Sequence, residues 1–238
     1  VASTLVEAYR LAREADAQSA FGGIVAVNRE VDAAAAEVLA ETFLECIVAP
    51  SFSEAALTRL REKKALRLLA TGAWLDGDFS ERQLRRVGGG FVVQERDNTG
   101  KVEVGEARVV TALAPTPEQR EALDFAWRIC KHTKSNAIVL ARPAGEPHAF
   151  VTTGIGGGQT ARVTSVEIAT RKAGELARSS VLASDAFFPF PDGIEAAAQA
   201  GVKAIVQPGG SKADPEVIAA ADRLGLSMLF TQIRHFRH

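Results

Sequence analysis

Residues 180–231 read SVLASDAFFPFPDGIEAAAQAGVKAIVQPGGSKADPEVIAAADRLGLSMLFT. Three short apolar runs, at 180–183, 204–206 and 227–230, alternate with two stretches of helical spacing, at 193–200 and 215–224. Runs this short and this continuously apolar read as buried strands. Gly201 and Gly225 stand where a helix ends in the left-handed conformation, which glycine enters without steric cost. Strands alternating with helices at this pace predict an α/β layer fold.

The same grammar extends outward. Thr116, Pro117 and Gln119 form a helix start, with a capping side chain, a proline at the first helical position and a reciprocal amide. The helix they open runs to about residue 133 and is apolar almost all round, which predicts a buried helix. Strands at 137–141 and 148–153 lead into the glycine-rich turn at 154–159 and another helix. In the first half, Leu5, Ala8, Tyr9 and Ala12 share one face of a helix over 3–16. A β-rich run at 23–28, a helix over 31–43, a strand at 46–49 closed by Pro50, a helix over 53–63 and a strand at 66–70 follow. Residues 75–105 change character, with RVGGG predicting a hairpin inside a connector.

There is an internal repeat. SAFGG at 19–23 is echoed by SDAFFPF at 184–190, and each is followed by a helix and a strand closed by proline, at Pro50 and Pro208. A Ser-led loop, a helix and a strand ending in threonine then follow, at Thr71 and Thr231. Only the second copy has an upstream portion, so symmetry places the opening strand of the first copy before Val1. The expected organisation is an incomplete first subdomain at 1–80, a connector at 81–110 and a second subdomain at 111–238.

A composition 47% apolar and 24% charged, with a net charge of −1, is that of a globular chain. It gives no electrostatic support for broad nucleic-acid binding. No apolar run is long enough to span a membrane, and residues 1–10 lack the layout of a signal peptide. Cys46 and Cys130 read as buried, reduced thiols of a cytoplasmic protein.

Several stretches carry possible chemistry. The turn at 154–159 fails the dinucleotide fingerprint because position 159 is Gln. It either offers backbone N–H groups to an anion, with Arg162 as partner, or serves close helix–sheet packing. The pattern of a zinc deaminase, H-x-E followed by P-C-x-x-C, is absent from the sequence. Lys131 and His132 end a helix, where cations are favoured with or without catalysis. Asn136 opens a buried strand, where its amide orients a ligand or pairs with backbone. Phe187, Phe188 and Phe190 crowd beside Asp185 and read either as a sandwich for a flat heteroaromatic ring or as core. Asp192 with Glu195 reads as a helix cap or as a ligand group. Pro208-Gly209-Gly210-Ser211-Lys212 is a second backbone nest.

Taken in order, SAFGGIVAVNREVD, FLECIVAP, CKHTKSNAIVLA, GIGGGQTARV, SDAFFPFPDGIEAAAQAGVKAIVQPGGS and the closing RHFRH resemble the AICAR (aminoimidazole carboxamide ribonucleotide) transformylase family, over essentially the whole chain. The resemblance implies two duplicated cytidine-deaminase-like three-layer subdomains without zinc, the first incomplete. It implies formyl transfer from 10-formyltetrahydrofolate to the 5-amino group of AICAR in purine synthesis, and an IMP cyclohydrolase activity in the full-length protein. A catalytically silent nucleotide- and folate-binding piece is the alternative.

By the same resemblance Gly22, Glu45, Asn136, Arg162, Phe187 and Arg234 contact AICAR, and Asn136 belongs to the catalytic site. Val163, Asp192, Ser211 and Lys212 meet the folate. A monovalent cation, potassium, sits near Thr133, Ser135 and Asp185. Ala161 stands where some relatives have serine. The family's Lys-His pair falls before Val1, and Lys131-His132 occupies its echo and receives no catalytic role. A homodimer with active sites between subunits is implied as well.

Overall fold

A computed structural model describes residues 1–73, 82–97 and 103–237. The parts of the connector that fall on 74–81 and 98–102 lie outside them. The chain begins with α1 (Leu5–Ala15), β1 (Gly23–Ala26), α2 (Ala33–Ala40), β2 (Leu44–Ala49), α3 (Glu54–Leu60) and β3 (Arg67–Ala70). The hairpin follows as β4 (Arg82–Val87) and β5 (Gly90–Glu95), turning at Gly88 and Gly89. Next come α4 (Glu103–Glu106), β6 (Arg108–Val109), α5 (Pro117–His132), β7 (Ile138–Pro143), β8 (Phe150–Gly156) and α6 (Arg162–Ala173). A 3-10 turn at Gly174–Ser179 leads to β9 (Val181–Ser184), α7 (Asp192–Gln199), β10 (Ala204–Gln207), α8 (Asp214–Arg223) and β11 (Ser227–Phe230).

The second half is built on a six-stranded sheet in the order β6-β11-β10-β9-β7-β8. Strands β9, β10 and β11 pair in parallel, while β7 pairs antiparallel with both β9 and β8. Successive side chains alternate between the faces. Leu182, Ile205 and Met228 pack under α6, α7 and α8 with Val166, Ile194 and Val217. Ala183, Val206 and Leu229 face α5 with Leu123, Ala126 and Trp127. The result is three layers, helix on sheet on helix, which is why these strands carry no polar alternation. The edge strand β6 comes from the stretch read as connector.

The first half makes a three-stranded parallel sheet, β1-β2-β3. Leu39, Ile47, Ala56 and Leu60 form its core, with Leu5, Val25 and Leu68 at the margin. The element order α1-β1-α2-β2-α3-β3 repeats as α6-β9-α7-β10-α8-β11. This recurrence of element order is longer than the verbal echo, and the echo is out of step with it. SAFGG precedes β1, whereas SDAFFPF follows β9. In the second half the far side of β9 pairs with β7. Among the described residues no strand pairs with the far side of β1.

Local signals hold at several places. The Thr116 hydroxyl accepts from the Gln119 N–H at 3.2 Å, and the Gln119 amide oxygen accepts from the Thr116 N–H at 2.9 Å. Gly201 and Gly225 are left-handed, with φ of 91° and 68°. Two expectations need correction. Helix α5 is not buried on all sides, because Glu118, Glu121, Arg128 and His132 form an exposed face. Asp192 does not cap α7: it is the first helical residue, and its Oδ1 accepts from the Gly193 N–H at 2.7 Å.

Candidate functional site

The parallel strands β9 and β10 end on one edge of the large sheet, where loops of α/β folds gather ligand groups. A cleft of about 400 Å³ lies at that edge. Its walls come from four places: Asn136 ahead of β7, residues 160–163 at the start of α6, the loop 186–192 after β9, and Phe236 of the tail. Six residues singled out in the sequence meet here: Asn136, Arg162, Val163, Phe187, Phe190 and Asp192. Arg234 stands beside them, its guanidinium 5.9 Å from the Phe187 ring centroid, within cation–π range.

The glycines that precede α6 explain how the wall forms. A Cβ on Gly154 would lie 2.0 Å from the Ala169 carbonyl oxygen, and one on Gly156 would lie 2.0 Å from that of Ser165. Both glycines let β8 press against the backbone of α6. They serve packing, and no side chain caps the helix start at Ala161.

Beneath the cleft runs a chain of buried polar groups. Arg162, 7% exposed, donates from Nη1 to Ser184 Oγ at 2.8 Å and to Asp185 Oδ1 at 2.5 Å. Its Nη2 donates to Asn136 Oδ1 at 2.8 Å. The Ser135 hydroxyl donates to the other oxygen of Asp185, which is fully buried. Asn136 Nδ2 donates to the carbonyls of Gln159 and Thr160, both at 3.0 Å. Charge-assisted bonds of this kind hold side chains in one geometry. Arg162 therefore braces Asn136 and Asp185.

The phenylalanine crowd divides between the core and the cleft. Phe188 is core, and its N–H donates to Gln207 Oε1 at 3.0 Å. Phe187 and Phe190 line the cleft. Cys130 and Cys46 are buried thiols, and burial pushes the Cys130 thiol well above its usual range.

Other candidates stand elsewhere. Gly22 turns the chain ahead of β1 with φ 71°, its N–H donating to the Phe43 carbonyl at 2.9 Å. Glu45 pairs with Arg67 at 2.8 Å on the exposed side of β2. Neither lines the cleft. Ser211 and Lys212 follow β10 on the same sheet edge, outside the cleft walls. Their loop is not an open nest, because Asp214 accepts the Gly210 N–H at 2.7 Å and Ser211 Oγ accepts that of Ala213 at 3.1 Å. The Thr133 hydroxyl donates back to the Ile129 carbonyl at 3.0 Å. Lys131 lies 3.5 Å from Asp97, and His132 stands 3.5 Å from Arg237, both away from the cleft. Burial first, then the neighbouring Lys131 and Arg237 cations, lowers the His132 pKa.

One constellation escaped the sequence reading. His235, with a fully buried side chain, sits between Asp97 and Glu103 and 4.8 Å from the Trp127 ring. Its members are scattered between residues 97 and 235, and no local spacing announces them. Phe236 was visible only as part of the closing RHFRH motif.

The model of a family described as AICARFT/IMPCHase bienzyme matches residues 1–172. Curated relatives include the bifunctional purine biosynthesis protein PurH of Sorangium cellulosum, 63% identical over 99% of this chain and 44% of its own length. Those of Myxococcus xanthus (51% identical, 100% and 46% covered) and Desulfitobacterium hafniense (52%, 99% and 44%) are also similar. The chain thus spans rather less than half the length of these relatives.

Proposed function

The chain belongs to the AICARFT/IMPCHase bienzyme family, and on that premise we propose that it forms part of a formyltransferase of purine synthesis. The reaction is transfer of the formyl group of 10-formyltetrahydrofolate to the 5-amino group of AICAR. One observation carries the reading. Residues implied for the nucleotide (Asn136, Arg162, Phe187) and for the folate (Val163, Asp192) line a single cleft. A direct transfer needs the two substrates held in contact, and such positioning lowers the barrier before any proton moves.

The roles follow from the side chains. Phe187 offers a flat face to the imidazole ring, and Arg234 beside it supplies a guanidinium fork for the anionic phosphate or the carboxamide oxygen. Asn136, braced by Arg162, orients the carboxamide. The AICAR amine is a weak nucleophile because the ring carboxamide withdraws its electrons. A histidine accepts its proton as general base, and a lysine stabilises the oxyanion developing on the formyl group. Both roles belong to the family's Lys-His pair, which the resemblance does not assign to Lys131 and His132. IMP cyclohydrolase activity is assigned to the rest of the full-length protein.

The fold supports the duplicated cytidine-deaminase-like reading, with 1–80 and 111–238 as the two copies and 81–110 between them. Gly22, Glu45, Ser211 and Lys212 reach their substrates across the interface of a homodimer, whose active sites lie between subunits. The described residues contain no helix long and apolar enough to cross a membrane, which accords with a cytoplasmic enzyme. The monovalent cation, potassium, implied near Thr133, Ser135 and Asp185 has the right class of donor there, hard oxygens. Yet both Asp185 carboxylate oxygens and the Ser135 hydroxyl are already engaged. Each of these oxygens nevertheless keeps a lone pair, so Ser135 and Asp185 would still hold such an ion, whose charge would help fix the strand ends around it.

The test is a formyl-transfer assay on the complete polypeptide, with Asn136→Ala and Val163→Asp as probes. Asn136→Ala is expected to weaken AICAR binding, and Val163→Asp to weaken folate binding, each by about tenfold or more. A complete polypeptide that binds neither substrate overturns the proposal.

A further inference from the structure

We propose that His235 is a positioning residue, the bolt that fixes the register of the C-terminal tail and so sets where Arg234 and Phe236 stand at the cleft. This rests on the formyltransferase reading for its functional consequence, though not for its geometry.

Along the tail exposure alternates, with Arg234 and Phe236 exposed on either side of the buried His235. The His235 N–H donates to the Asp185 carbonyl at 3.0 Å, the Ser135 N–H to the Arg237 carbonyl at 2.9 Å, and the Arg237 N–H to Ser135 Oγ at 2.9 Å. Such main-chain bonds hold the tail but do not read its sequence. In an extended segment, sliding by one residue exchanges the two faces. Something must therefore specify the register, and between 231 and 237 only His235 is buried. Its Nδ1 lies 2.7 Å from Asp97 Oδ2 and its Nε2 lies 2.9 Å from Glu103 Oε2. The Trp127 indole N–H donates to that same Glu103 oxygen, while the Trp127 ring packs 4.8 Å from the imidazole. The slot thus demands a flat ring with a polar nitrogen at each end. Phe236 meets the shape but would leave both carboxylates facing carbon, and Arg234 meets the charge but not the length. With His235 seated, alternation turns its two neighbours toward the opposite side. There Phe236 lines the cleft and Arg234 lies over Phe187.

The experiment uses the complete polypeptide. His235→Ala is expected to raise the KM for AICAR by about tenfold while kcat changes far less, the split that marks lost substrate positioning. Hydrogen exchange at the amides of residues 235 and 237 should speed up in the same variant. His235→Gln, which can satisfy one carboxylate, should recover part of both effects. If His235→Ala does not fold by circular dichroism, Asp97→Asn decides, since Asp97 is partly exposed; a smaller rise in KM with faster exchange is expected. A folded His235→Ala, or Asp97→Asn in its place, with unchanged KM and unchanged exchange overturns the inference. Failure of the unaltered protein to bind AICAR sinks the formyltransferase reading instead, and the exchange measurement still judges the tail.

Discussion

The units β1-α2-β2-α3-β3 and β9-α7-β10-α8-β11 are the same topological sentence in two settings. In the second, every residue of β9, β10 and β11 is buried, because helices cover both faces of the sheet. In the first, only one face is covered. Ile24 is 72% exposed and Leu69 49%, on the side that α5 occupies in the other unit. The paired rows Val25–Ile47–Leu68 and Ala26–Val48–Leu69 show the same split, since the first packs under helices and the second does not. The local sequence therefore determines strand and helix, while burial is conferred by layers that come from elsewhere in the chain. An apolar face this continuous, left bare, marks a place where another element packs.

The largest expected contrast concerns the two arginine–carboxylate pairs. Arg162 and Asp185 are 5% and 0% exposed in their side chains, whereas Arg67 and Glu45 are 67% and 46% exposed. Removing one partner of a buried pair strands a charge and costs about 3–5 kcal/mol. The exposed pair is worth about 0–1 kcal/mol. Denaturant unfolding of Arg162→Ala and Arg67→Ala should show that difference, and similar losses in the two variants break the comparison. A second contrast uses aliphatic truncation. Leu182→Ala in the covered sheet should cost about 2–5 kcal/mol. Ile24→Ala should cost much less in this chain, because little contact is lost. In a polypeptide of the relatives' full length the Ile24 cost should rise toward that of Leu182, as measured by unfolding, if another element packs on this face.

Much of this was legible in the sequence because its signals are local. The capping box at Thr116, the helix-ending glycines at 201 and 225, and the short apolar runs each depend on neighbours in the chain. The cleft was partly legible for the same reason, since Asn136, Arg162 and Phe187 stand at strand ends and helix starts. What was not legible is pairwise and distant. Helix α5 shows a nearly continuous apolar surface in sequence, yet its charged residues fall on one side and keep it half exposed. Asp192 resembles a cap, but the turn at Pro191 brings it inside the helix. The partners of Arg162 and His235 come from separate strands and loops, and no spacing rule joins them.

The contrast also extends to the cleft. Arg162 is bound up inside the protein, whereas Arg234 is exposed, with its guanidinium over the Phe187 ring. Arg234→Ala should therefore spare stability, shifting it by no more than about 0.5 kcal/mol. It should weaken nucleotide binding by about 1.5–3 kcal/mol, the value of a bond to a charged group. Calorimetry with AICAR and with folate separates the two substrates. Equal losses for both would contradict a role on the nucleotide side.

The smallest effect belongs to His132, and it tests whether the Lys131-His132 pair takes part in catalysis. Its pKa is lowered by burial, by Lys131 and by Arg237, so folding disfavours the imidazolium. The unfolded chain then binds the proton more readily than the folded one. Stability contributed by neutral His132 is complete above the ordinary value near 6.5. It is lost as the pH falls from there through the lowered value. His132→Gln, neutral throughout, should flatten the stability profile across that acidic window. The gain should stay within about 0.5 kcal/mol, because the residue is largely exposed and water screens it. The same position tests catalysis. His132 lies outside the cleft, so His132→Phe in the complete polypeptide should keep most of the turnover. Loss of a positioned general base lowers the rate by about 10² or more. A collapse of that size in His132→Phe, with substrate affinities intact, would move the catalytic pair to this copy.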